Sequence, residues 1–314
     1  MSAKKPFLRV TEVWTPSDDG KELVLARGDY GSLSEFEDTS ENTKFALGEG
    51  LPGLAWQEGR PVVMHELKKP MFVREDVAAR VGLTCGVAIP IVRGTETLAV
   101  LALFCGDDEE HIGAIEVWNA ASDSNELSLH DGYFGTATKF EFQAKHMNFR
   151  KGIGLPGITW EIEAPVIMDD LGRTKRFVRR DSADLSGITR GVGIPLNTTA
   201  DGSWILAILS AMNTPIARRF EIWHTNETED ALTFASGVCE SGVDLSNAYM
   251  QVQIPKGSST LGRVLNDGRP WLSSMMNGED PVIAASCNDV QLTKIFAMPV
   301  FANERMTSVI AWYS

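Results

Sequence analysis

The tripeptide Glu12-Val13-Trp14 returns as Glu116-Val117-Trp118 and again as Glu221-Ile222-Trp223, at offsets of 104 (12 to 116) and 105 (116 to 221) residues. Other landmarks keep step: Gly48, Gly152 and Gly257; Gly53, Gly157 and Gly262; Pro61, Pro165 and Pro270; Pro90, Pro195 and Pro299. One register held through three copies marks internal duplication. A unit of about 105 residues can own a hydrophobic core, unlike the shorter repeats of solenoids. The 314-residue chain therefore reads as three homologous domains, 1–109, 110–215 and 216–314. The proposed breaks fall where Asp107-Asp108-Glu109-Glu110 and Asn213-Thr214-Pro215-Ile216-Ala217 interrupt strand-like sequence.

Within a copy the coarse order is legible. Leu8–Trp14 and Glu22–Ala26 read as strands joined by the turn Ser17-Asp18-Asp19-Gly20. A third strand approaches Gly48, and a short helix over about Leu51–Glu58 is closed by Gly59 and Pro61. Pro61–Met64 is extended, and Val73, Val77 and Val81 at i, i+4, i+8 predict a second helix over Phe72–Val81. Cys85–Val92 and Thr97–Phe104 close the unit as strands. Short connections imply a mainly antiparallel sheet with helices to one side, an α+β fold.

Gly48-Glu49-Gly50-Leu51-Pro52-Gly53 and Gly152-Ile153-Gly154-Leu155-Pro156-Gly157 both spell G-x-G-x-x-G, a dinucleotide-loop pattern. That loop must open a helix in a parallel crossover with an acidic residue about 20 positions on. Here a proline sits inside the loop, the helix is barely two turns and the strands are antiparallel. The glycines read instead as a tight strand-to-helix turn.

The combined string G-x-G-L-P-G-x-x-W, Pro-Val, Phe-Val-Arg and G-[LI]-T-x-G-V-x-I-P resembles the GAF domains, small-molecule-binding and dimerising modules of signalling proteins. It spans Gly48–Trp56, Pro61-Val62, Phe72–Arg74 and Gly82–Pro90, and again Gly152–Trp160, Pro165-Val166, Phe177–Arg179 and Gly187–Pro195. Copy three is degenerate: Gly257-Ser258-Ser259-Thr260-Leu261-Gly262 lacks Leu-Pro, Leu265 replaces the tryptophan, and Phe-Val-Arg is missing. The resemblance implies a ligand pocket between sheet and helices. Its candidate lining is Trp56, Met64, Phe72, Arg74 and Cys85 in copy one, with Trp160, Met168, Phe177, Arg179 and Arg190 in copy two. Trp56 and Trp160 read more readily as core than as pocket lining, and the cations of Arg173–Arg180 more readily as a solvated helix face than as a grip on an anion or a sister copy.

GAF domains usually carry long terminal helices over one sheet face. Here the last strand of one copy runs almost directly into the first strand of the next. Ile112-Gly113-Ala114-Ile115-Glu116-Val117-Trp118 is apolar on both faces, so the uncovered backs must pack on a sister repeat or on another chain. A homo-oligomer, or a protein partner held through exposed sheet faces, follows as an expectation.

The resemblance also reaches an enzymatic branch, the cysteine-dependent free methionine-R-sulfoxide reductases. Cys85, Cys105, Cys239 and Cys287 lie far apart, however, without a zinc-like spacing or a recognisable disulfide framework. No cofactor, metal or catalytic residue is expected. A net charge of -13 disfavours nucleic acid and anionic membranes. The longest apolar run, Leu98–Cys105, is too short to span a bilayer, and the first residues show no signal peptide, so a cytoplasmic location is expected. The expectation is a non-enzymatic regulatory protein that binds a small molecule and acts through protein contacts. The alternatives are a ligand-free self-assembling scaffold and a cysteine-dependent reductase or redox sensor.

Overall fold

Alternation along the strands dictates the architecture. In β1 (Leu8–Pro16), Val10, Glu12 and Trp14 face one way and Thr11, Val13 and Thr15 the other, as the two-residue strand period requires. With β2 (Glu22–Asp29), β3 (Lys44–Ala46), β4 (Val62–Met64), β5 (Cys85–Arg93) and β6 (Glu96–Cys105) it forms an antiparallel sheet in the order β3-β2-β1-β6-β5-β4. The computed structural model describes residues 6–106, 112–196, 202–211, 214–274 and 276–314, so the expected break at 109/110 lies outside the described residues.

The second sheet repeats the first with β7 (Gly113–Ala120), β8 (Glu126–Tyr133), β9 (Phe149–Arg150), β10 (Val166–Met168), β11 (Ile188–Pro195) and β12 (Ser203–Ala211). The third uses β13 (Arg219–Thr225), β14 (Ala231–Cys239), β15 (Gln253–Pro255), β16 (Trp271–Ser273), β17 (Ile295–Ala302) and β18 (Arg305–Tyr313). All three share one strand order and are antiparallel throughout. The fold is α+β, in three copies.

Short helices cover one face of each sheet. In copy one these are α1 (Ser34–Glu41), α2 (Gly50–Glu58) and α3 (Glu75–Val81). Copy two has α4 (Thr138–Lys145), α5 (Gly154–Ile162) and α6 (Arg180–Ser186); copy three has α7 (Leu245–Ala248), α8 (Ser259–Asp267) and α9 (Pro281–Asn288). The glycine motif is structural. A Cβ on Gly53, Gly157 or Gly262 would lie 2.3, 2.1 or 2.2 Å from the carbonyl oxygen of Ala46, Arg150 or Pro255, so only glycine lets the helix sit on the third strand.

The helix expected from Phe72 starts only at Glu75. Residues 71–74 form a turn that drives Phe72 and Arg74 inward and leaves Val73 exposed, which a continuous helix could not do. Helix α1 had no counterpart in the sequence reading; it buries only Phe36 and Ser40.

Among the described residues no helix covers the opposite faces, and they cover one another. Val87, Leu101 and Leu103 of copy one, Leu206 and Ile208 of copy two, and Phe220, Met298 and Ile310 of copy three belong to one continuous core. Each repeat also keeps its own core beneath its helices. The seams are cyclic: β4 lies against β8, β10 against β14, and β16 against β2. The fourth strand of each copy thus meets the second strand of the next, and the third copy closes on the first. Of the two expected coverings, the sister repeat is the one present. The expectation of exposed sheet faces open to a partner chain is corrected, because Leu101, Leu206 and Ile310 are fully buried within this chain.

Candidate ligand sites

A charged residue inside an apolar strand requires a partner. Glu12 and Glu116, both inaccessible to solvent, find one in the arginine of Phe-Val-Arg. The Arg74 guanidinium donates to Glu12 from Nη1 at 2.6 Å and from Nη2 at 2.9 Å. Arg179 holds Glu116 in the same way at 2.5 and 2.8 Å. The Trp14 and Trp118 indole N–H groups add a further 2.9 Å bond to each carboxylate. Tyr30 also donates to Glu12, and Arg74 to Ser40. The Arg74 guanidinium carbon lies 4.5 Å from the Phe36 ring centroid and that of Arg179 lies 4.1 Å from Phe140.

Copy three solves the same problem differently. Arg219, where copies one and two have Val10 and Ala114, lies two residues before Glu221 and so on the same strand face. Its Nη1 stands 3.6 Å from Glu221, while Trp223 and Tyr313 donate to that carboxylate at 3.0 and 2.6 Å. Burial, opposed by those bonds, holds the Glu221 carboxyl above the usual range.

The candidate lining divides accordingly. Phe72 and Arg74, like Phe177 and Arg179, are buried in their repeats' own cores, with Met168 and Trp160 also buried and Met64 and Trp56 half-buried at the margin. The space beneath the helices is occupied by rings; Phe104 lies 5.4 Å from Phe36 and 5.8 Å from Phe72. Cys85 belongs to the shared core on the opposite face. The matching residue of copy two, Arg190, is buried and pairs with Asp169 at 2.8 Å. The sheet therefore separates Cys85 from Phe72 and Arg74.

The third residue of that matched set, Lys294, reaches a cavity. About 270 Å³ in volume, it lies where copy three meets copy one. Phe296 and Trp312, stacked at 4.1 Å, form an apolar wall with Leu272 and Leu8, and Thr11 adds a hydroxyl. Lys294 Nζ contacts Asp29 at 2.5 Å across the seam. Sequence reasoning missed this place because it exists only when the first and last repeats meet.

The seam between copies one and two is polar. Arg60 donates to His130 Nε2 at 2.7 Å, His130 lies edge-on to Trp204 at 4.8 Å, and His65 meets Asp131 at 2.8 Å. Burial, then the Arg60 charge, lower the His130 pKa against a smaller opposing pull from Asp131 and Glu58. Protonation would remove the acceptor and set two cations together. A depressed folded pKa means stability present above the unfolded value of about 6.5 and lost as pH falls through the folded value. His224, lowered by burial, acts in the same sense. The melting temperature should therefore drop between pH 7 and 5.5, and drop less in His130→Gln; equal slopes would remove His130 from the account.

Cys85 and Cys105 face each other on β5 and β6, wholly buried, and burial pushes the Cys105 thiol far up. Cys287 is pushed up to about 12 by burial. Burial also raises Cys239, but bonds from Ser241 and Arg219 outweigh it and leave the thiol below its ordinary range. Among the described residues no group of His, Cys, Asp and Glu could hold a metal ion, and no helix is long and apolar enough to cross a membrane.

The family model for the GAF domain matches residues 12–118, one repeat period that begins in β1 and ends in β7. No curated protein matches the chain. Among solved structures, the GAF domain of an Acinetobacter phosphoenolpyruvate-protein phosphotransferase is similar at 15% identity, over 32% of this chain and 55% of that one, with a TM-score of 0.25. The corresponding domain from Coxiella burnetii gives 18% identity over 31% and 56%, with a TM-score of 0.27. A free methionine-R-sulfoxide reductase from Neisseria meningitidis, solved with its substrate, gives 19% over 31% and 52%, with a TM-score of 0.25. The chain thus spans little more than half the length of these structures.

Proposed function

We propose, for a chain whose residues 12–118 belong to the GAF domain family, a non-enzymatic regulatory role in which a small molecule binds between repeats rather than within one. GAF domains are generally sensory, ligand-binding regulatory modules. The observation that carries the reading is the cavity of about 270 Å³ bounded by Leu272, Phe296 and Trp312 of copy three and by Leu8, Thr11 and Asp29 of copy one. It is sized for a small ligand with an apolar or aromatic body and a polar end near Lys294. A ligand bridging the first and last repeats favours the closed ring over any opened state, and that differential affinity is what regulation requires. Contacts with a protein partner would then use the helix-bearing outer surface, where Phe142 and Leu185 are exposed.

The non-enzymatic part rests on the thiols, since reductase chemistry needs an accessible thiolate, whereas all four cysteines are buried. The second reading, a ligand-free scaffold, is favoured by the side chains that fill the space beneath the helices of copies one and two.

Native mass spectrometry of the purified chain should show a small molecule retained on the wild type and lost in Lys294→Met. A bare mass, together with no stabilising compound in a metabolite screen, supports the scaffold instead. Reduction of free methionine sulfoxide that disappears in Cys239→Ser would overturn the non-enzymatic reading.

A further inference from the structure

The pseudo-threefold arrangement makes each seam a control for the others. Arg60, Ala164 and Arg269 occupy one loop position, immediately before the matched prolines. At the first seam Arg60 is neutralised by Glu58 at 2.6 Å and also bonds His130. At the third, Arg269 is exposed, and Asp267, which takes the place of Glu58, accepts instead from Asn266 at 2.8 Å. A second matched set, set by strand pairing, is Arg27, Asp131 and Ser236, facing Val13, Val117 and Ile222. Asp131 meets His65 at its seam, whereas Arg27 crosses to copy three and lies over the Trp271 indole, its guanidinium carbon 3.2 Å from the ring centroid. Arg263, on α8, stands 5.1 Å from the same centroid.

Among the described residues none of Arg27, Arg263 and Arg269 has an ion-pair or hydrogen-bond partner. Arg27, Arg269, Trp271 and Asp267 line an open cavity of about 290 Å³. Burial and then the charge of Arg263 lower the Arg27 pKa against a smaller opposing pull from Asp267, so positive charge outweighs the single carboxylate at this cavity. In a chain of net charge -13, two guanidiniums lining one cavity, with the third of Arg263 beside Trp271, oppose the general field.

We infer that the cavity between β2 and β16 is a binding site for a small multiply charged oxyanion of the phosphate or pyrophosphate class. Guanidinium forks match such oxygens two at a time, and the charge of the group rewards several of them at once. Arg27 already covers one face of Trp271, so the site reads the phosphoryl group rather than offering that face to a base. An anion here ties β2 of the first repeat to the α8–β16 corner of the third. It is a second seat on the seam that also holds the aromatic cavity, and it does not depend on a ligand being bound there.

Inorganic pyrophosphate is the probe, measured by titration calorimetry and by thermal shift on the full chain at fixed ionic strength. The wild type should bind one pyrophosphate, and each of Arg269→Gln and Arg27→Gln should weaken binding about tenfold. Arg60→Gln should bind like the wild type, because its arginine is already neutralised. Arg269 is exposed and makes no ion pair or side-chain hydrogen bond among the described residues, so Arg269→Gln should fold normally even if loss of the Trp271 stack harms Arg27→Gln. Binding should weaken as salt rises. No heat or shift beyond an equal ionic strength of chloride, or equal loss in Arg60→Gln and Arg269→Gln, overturns this site. Either result leaves the aromatic cavity in place, since that is read by the mass retained on purification.

Discussion

Arg74→Met is expected to lower unfolding stability by about 3–5 kcal/mol, and Arg179→Met by a comparable amount. The magnitude comes from what is left behind. Glu12 and Glu116 are inaccessible to water, and each receives two guanidinium bonds and one indole bond. Removing the arginine strands a carboxylate in a core of aromatic rings with only the weaker donors. The double change Arg74→Met with Glu12→Gln should recover part of the loss, because the stranded charge has gone. Copy three supplies the contrast. Its Glu221 stands 3.6 Å from Arg219, has one oxygen without a hydrogen-bond partner, and has its pKa raised by burial. Glu221→Gln should therefore be milder than Glu12→Gln. Urea unfolding followed by circular dichroism measures all of these; a loss below about 1 kcal/mol for Arg74→Met would show that the pair contributes little.

Those pairs also show where the sequence could be read and where it could not. Glu-Val-Trp and Phe-Val-Arg are both conspicuous in copies one and two, but they lie about 60 residues apart, and only the folded sheet brings strand and turn together. The signal was available in two forms: a glutamate amid apolar strand residues demands a cation, and the copy that lacks Phe-Val-Arg is the one carrying Arg219 beside its glutamate. The succession of strands along the chain, the glycine turns and the bare sheet backs follow from local pattern, since period-two alternation and φ-restricted turns are local properties, whereas the order within the sheet rests on the distant pairing of β1 with β6. The valine spacing places the start of helix α3 three residues too early, because it carries no sign of the turn that buries Phe72 and Arg74. The candidate lining scattered for a related reason. The family resemblance implies one pocket for Cys85 and Arg74, yet strand alternation puts Cys85 in the shared core, across the sheet. The seam cavities have no sequence signature, because Arg27 meets Trp271, and Asp29 meets Lys294, only on closure of the ring.

Closure has a measurable consequence at Leu206. This residue sits in the middle of β12, fully buried, paired in register with Val117 and Ile194, and part of the core to which all three repeats contribute. Leu206→Ala should cost about 3–5 kcal/mol, the sum of lost apolar transfer and the cavity left in a packed interior. How that loss is distributed matters more than its size. If each copy were stabilised only by the core beneath its own helices, the change would shift the unfolding of copy two and leave about two thirds of the spectroscopic amplitude at the wild-type midpoint. Because the back of each sheet is covered by the other two, opening one repeat exposes apolar surface on both neighbours. The protein should therefore unfold in one transition, and Leu206→Ala should move the whole amplitude together. Leu127→Ala, in the helix-side core of copy two, gives the comparison. Two resolved transitions in the wild type, or a Leu206→Ala curve in which only part of the signal moves, would mean that the copies are stable alone and that the shared core is dispensable.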